Sequence, residues 1–149
     1  VLVSGLISLF AALNQASDVA VLKPVLLAPL LVALGAIPGA LSRYYLTVSA
    51  AQWLGTSFPY GTLIINLTGA ALIGFLATVI EQREPSSAWQ ALLIIGFLGS
   101  YTTFSTYALD TSNLLRTGNR KRALIYGLGS PIFGFFCVEI GIFLARQMR

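Results

Sequence analysis

"GSYTTFSTY", Gly99–Tyr107, sets seven hydroxyl side chains in nine positions, with no charge among them and apolar runs on both sides. The segment that contains it, residues 88–115, has 28 residues, and as a straight α-helix it would be about 42 Å long against a hydrocarbon core of about 30 Å. The surplus length coincides with the hydroxyls. An interrupted helix would shorten the span and free backbone carbonyls, while Ser and Thr side chains satisfy the exposed amides. A continuous tilted helix, with Ser and Thr bonding back to their own turns, accommodates the same residues.

Outside this stretch the chain is dominated by lipid-compatible residues. Of 149 residues, 56% are hydrophobic and 9% charged, with a mean hydropathy of +0.82, too little charge to cover a water-facing surface. Four membrane spans account for it. The first is expected to open near Pro24, the second to run from Tyr60 to about Ile80, the third from Ala88 to about Leu115 and the fourth from Ala123 to about Ala145. Residues 24–149 thus form one all-α membrane domain, with residues 52–59 as a surface loop. Residues 1–23 are set apart as an N-terminal extension. No positive residue precedes its apolar run, which makes it a poor secretory signal, and it suits an interfacial helix and disorder equally well.

Composition also excludes chemistry. There is no histidine and a single cysteine, Cys137, so zinc ligation and histidine-assisted nucleophilic catalysis have no residues to work with. The net charge of +4 comes from few Lys and Arg, placed mostly at connectors as interfacial anchors and not as a nucleic-acid patch. Across four spans, Lys23, Arg83, Arg146 and Arg149 fall on one side and Arg43, Arg116, Arg120, Lys121 and Arg122 on the other. Four against five is almost no bias, so the chain is expected to insert in both orientations and to pair as an antiparallel, dual-topology homodimer.

The polar residues inside the spans define the candidate site. Asn66 is read as lying in the middle of the second span, on a face shared with Thr62, Gly69, Ala70 and Ile73, where it can make an interhelical hydrogen bond or line a pathway. Tyr126, Ser130 and Gly134 repeat every four residues in the fourth span. Gly35 and Gly39 form a G-x-x-x-G pair in the first, and Arg43 beyond them can snorkel or draw anions to a vestibule. Asp110 and Glu139 are read as lying toward helix ends, leaving neutral donors and aromatic rings in the centre. Such a lining suits an anion better than a cation.

The pieces "GAIPGALSRYY", "GTLIINLTGAALIGF", "GFLGSYTTFSTY" and "YGLGSPIFG" together resemble the Fluc (CrcB) family of fluoride channels, from about Leu34 to the C-terminus. The resemblance implies four spans, a third helix broken near mid-membrane, and an antiparallel homodimer with two fluoride pathways in the cell (plasma or inner) membrane. It also implies a structural, non-transported sodium ion on the dimer axis, held by the backbone carbonyls of Gly99 and Thr102 from both copies. The implied fluoride pathway comprises Asn66, the aromatic pair Phe104 and Tyr107, the hydroxyls of Ser105 and Thr106, and Tyr126 and Ser130, with Arg43 at the vestibule. Tyr107 stands where the family usually has a second phenylalanine, and Gly134 where many members have Ser or Thr.

Fluoride is small and strongly hydrated, so a narrow path must offer donors that replace its water, while a wide basic pore would favour chloride. Passive fluoride export follows as the expected activity. The alternative from another class is a small dual-topology multidrug exporter, which relies on a glutamate in its first span. This first span holds no acid. A non-conducting assembly subunit would explain the small-residue faces but not the hydroxyl-rich stretch.

Overall fold

The computed structural model describes residues 16–83 and 87–148, and among these every regular element is helical. Helix α1 is Ala16–Leu54 and α2 is Tyr60–Arg83. Helix α3 covers residues 87–101, α4 is Phe104–Arg116 and α5 is Arg120–Arg146. Among the described residues four segments are long and apolar enough to cross a membrane: Leu27–Leu54, Tyr60–Gln82, Ser87–Arg116 and Arg120–Arg146. The chain is a multi-pass membrane protein.

Helix α1 does not open at Pro24. It begins at Ala16 and includes that residue, and its stretch Leu27–Leu54 is the part long and apolar enough to cross a membrane, while residues 1–15 lie outside the described part of the chain. A proline removes one backbone donor, and the helix continues through it. The surface loop is correspondingly shorter than expected, residues 55–59. It starts at Gly55, whose φ of +77° turns the chain out of α1, and a second glycine with positive φ, Gly118 at +81°, turns α4 into α5.

Glycine faces bring the helices together. A Cβ on Gly35 would come within 2.0 Å of the Leu92 carbonyl oxygen, and one on Gly39 within 2.3 Å of that of Phe97. The G-x-x-x-G pair of α1 therefore lies against α3, as the spacing leads one to expect. The contacted part of α3, Gln90–Leu98, winds as a π-helix, and Gly96 within it meets the Val32 carbonyl. The helices can sit this close because glycines face backbone on both sides, Gly35 and Gly39 on α1 and Gly96 on α3. On the opposite flank, α2 and α5 interlock through Gly74 against the carbonyl of Val138 and Gly141 against that of Ala71.

Two apolar clusters fix the ends of this arrangement. Ile65, Leu98 and Tyr101 join α2 to α3, and Leu114, Ala123 and Tyr126 join α4 to α5, with Phe58, Leu63 and Tyr107 packed against them. Between the clusters lies the junction of α3 and α4.

Candidate functional site at the α3–α4 junction

Thr102 and Thr103 are extended, with φ/ψ of −79°/159° and −151°/114°, and they separate α3 from α4. Three side chains make this possible. Asn66 on α2 donates from Nδ2 to the Thr103 carbonyl at 3.0 Å, while its Oδ1 accepts the Thr103 N–H at 2.9 Å. The carboxamide so reproduces, for one residue, the two-way pairing of a sheet ladder. Thr103 in turn caps α4, its Oγ1 accepting the Thr106 N–H at 3.2 Å. Thr102 donates its own Oγ1 to the Leu98 carbonyl at 3.0 Å.

These bonds have a consequence for two carbonyls. In a continuous helix, the N–H groups of Thr103 and Thr106 would bond to the carbonyls of Gly99 and Thr102. Here both donors are diverted, to Asn66 and to the Thr103 hydroxyl. The carbonyls of Gly99 and Thr102, which the resemblance names for a sodium ion, lose these helical partners, as do those of Ser100 and Tyr101 between them. Gly99 is also exposed, with nothing closer than 3.8 Å to the position of a Cβ.

The hydroxyls of the motif divide into two groups. Ser100 bonds to the Ala36 carbonyl at 3.0 Å and Tyr101 to the Thr68 hydroxyl at 2.8 Å, so both tie α3 to its neighbours. Ser105 and Thr106 instead gather around the Thr103 hydroxyl, at 3.3 and 3.0 Å, and both are exposed. Phe104 is 79% exposed beside them. Asn66, Thr102, Thr103 and Phe104 line a cavity of about 350 Å³.

On the other side of Thr106 lies a larger cleft of about 510 Å³, reaching from Asp110 and Thr62 out to the 55–59 loop and Asn119. Asp110 accepts from Thr62 Oγ1 at 2.8 Å and stands 3.5 Å from the Tyr126 hydroxyl. The cluster was not foreseen from the chain, where Asp110 and Thr62 are 48 positions apart. Arg43 does not line this cleft. It sits one helical turn from Thr47, which does, and is half-buried. Nor is Asn66 at the midpoint of α2, being the seventh residue from Tyr60.

The aromatic residues form a continuous row. Phe104 and Tyr107 have ring centroids 5.6 Å apart, Tyr107 and Tyr126 5.4 Å, and Tyr126 and Phe58 5.5 Å. The Tyr107 hydroxyl donates to the Gly127 carbonyl on α5. Ser130, one turn beyond Tyr126, has a buried Oγ with no hydrogen-bond partner. Position Gly134 opens onto empty space. Among the described residues no three His, Cys, Asp or Glu side chains come together as a metal site.

Helices crossing the bilayer, one of them interrupted by an extended pair and lined with uncharged donors, define a membrane protein of the small-channel or transporter class. Residues 30–142 match the family described as "CrcB-like protein, Camphor Resistance (CrcB)", and the chain belongs to that family. It is 52% identical over 128 residues to the "Fluoride-specific ion channel FluC" of Synechococcus sp. (strain JA-2-3B'a(2-13)), covering 85% of this chain and 98% of that one. Proteins of the same name from Trichormus variabilis (strain ATCC 29413 / PCC 7937) and Synechocystis sp. (strain ATCC 27184 / PCC 6803 / Kazusa) are 49% and 46% identical. These cover 83% and 80% of this chain and 92% and 93% of their own lengths.

Proposed function

We propose that this chain is a fluoride-specific ion channel of the cell membrane, passing fluoride outward down its electrochemical gradient and lowering cytoplasmic fluoride. The near full-length likeness to proteins of that name carries the reading, and the site supplies the chemistry. Fluoride leaving water needs hydrogen-bond donors close at hand, and Ser105, Thr106, Tyr126 and Ser130 are uncharged donors on α4 and α5. The second N–H of Asn66 is a further donor beside Phe104, whose positive ring edge can face the ion. Ser130 supports the pathway most directly, because a buried hydroxyl without a partner is unfavourable unless something else uses it. Arg43 adds positive potential one turn from the wide cleft, attracting anions to its mouth without entering the path.

The working unit is an antiparallel homodimer. The junction divides the 87–116 segment nearly in half, which supports a position near mid-membrane, and the exposure of Gly99 and Phe104 leaves room for a second, inverted copy. The freed carbonyls would suit a structural sodium ion. Its hard oxygen ligands would be the carbonyls of Gly99 and Thr102, and two per chain are too few, so both copies must contribute. Bound there, the ion would supply positive charge to the carbonyl dipoles of Gly99 and Thr102 and would not itself be transported.

Expression in cells lacking fluoride export tests the function. The chain should restore growth in fluoride-containing medium, and unchanged sensitivity with the protein present in the membrane would reject it.

A further inference from the structure

Pro131 lies inside α5, and a proline at that position has no N–H for the carbonyl four residues earlier. That carbonyl belongs to Gly127, the group that accepts the Tyr107 hydroxyl. We infer that Tyr107 is a positioning residue: its hydroxyl replaces the hydrogen bond that Pro131 removes from Gly127, pinning α4 to α5 beside the aromatic row. The departure from phenylalanine at 107 is thereby coupled to a proline 24 residues later.

The surroundings fit a strut. Gly127 has no side chain, and a Cβ there would lie 3.1 Å from Thr111 Cγ2, so α4 crosses α5 closely at this point. Thr111 is one turn after Tyr107 and donates to its carbonyl at 2.8 Å, holding the same turn of α4. With its proton directed at Gly127, the Tyr107 hydroxyl is not a donor for a passing ion. Its ring remains between Phe104 and Tyr126 as part of the wall. The consequence for the pathway rests on the fluoride reading; the carbonyl pairing does not.

Tyr107→Phe, Pro131→Ala and the double variant, made in the full chain, test the pairing. Gly–Leu occurs only at residues 5–6 and 127–128, so 13C-carbonyl glycine with 15N-leucine leaves two carbonyls in a filtered NMR spectrum, and a Leu6→Ile background isolates that of Gly127. Tyr107→Phe is expected to move that resonance upfield and to lower the unfolding midpoint in detergent by about 2–4 °C. In the Pro131→Ala background, where residue 131 has its own N–H, the same substitution is expected to do neither. Fluoride efflux slowed by Tyr107→Phe should recover in the double variant, whereas a hydroxyl acting as an ion donor would leave it slow. An unmoved carbonyl resonance in Tyr107→Phe, or equal losses in both backgrounds, would overturn the inference. A wild-type chain that passes no fluoride would remove the pathway consequence and leave the carbonyl result to decide the pairing.

Discussion

Asn66 engages both ends of its carboxamide on the peptide groups of a single residue, Thr103, and this makes its substitution informative. Asn66→Ala leaves a buried N–H and C=O without partners, a loss of about 2–3 kcal/mol for the pair. Thermal unfolding in detergent would register it, and fluoride efflux should fall as well. Ser130 is expected to behave in the opposite way. Its hydroxyl has no protein partner, so Ser130→Ala should change stability by less than about 0.5 kcal/mol while still slowing efflux. Equal stability losses in the two variants would contradict the roles assigned to them. The sequence marks Asn66 as costly in lipid but not what it bonds to, because its partner is 37 residues away. For the same reason the Thr62–Asp110–Tyr126 cluster has no local signature. Thr103 was legible only as one hydroxyl among seven, although a threonine three residues before Thr106 is the usual position for a helix cap.

Helix packing depends on which glycines face another backbone. Gly74 does, its absent Cβ falling 2.3 Å from the Val138 carbonyl oxygen, whereas Gly134 faces nothing. Gly74→Ala should therefore lower stability by about 1–3 kcal/mol by forcing α2 and α5 apart, and Gly134→Ala should be neutral or mildly stabilising. Comparing their unfolding midpoints checks this. The four spans were readable from hydropathy, and the contact of Gly35 and Gly39 with another helix from their spacing. Helix ends were less so, since α1 passes through Pro24 and α2 continues to Arg83. The π-helical winding of Gln90–Leu98 left no trace in the sequence, because "QALLIIGFL" would form an α-helix equally well and the close fit to α1 decides otherwise. Excess length did flag the 88–115 segment, since residues beyond those needed to cross the bilayer must go somewhere.

For the whole molecule, the account requires two chains in opposite orientations. A tag on the C-terminus should be accessible from both faces of the membrane in comparable amounts, and labelling from one face only would exclude the antiparallel pair. Replacing sodium with a large organic cation during purification should weaken the dimer if the carbonyls of Gly99 and Thr102 hold the ion; dimer content by light scattering that is independent of sodium would remove that site. The interrupted helix matters at this scale because, in the proposed pathway, the uncharged donors beside it would give a strongly hydrated anion an alternative to water. Conduction itself is measured most directly with purified protein in liposomes loaded with fluoride, read by a fluoride electrode under a potassium diffusion potential. Fluoride is expected to leave far faster than from empty vesicles, with Asn66→Ala vesicles slower than wild type. Efflux no faster than from empty vesicles would contradict it.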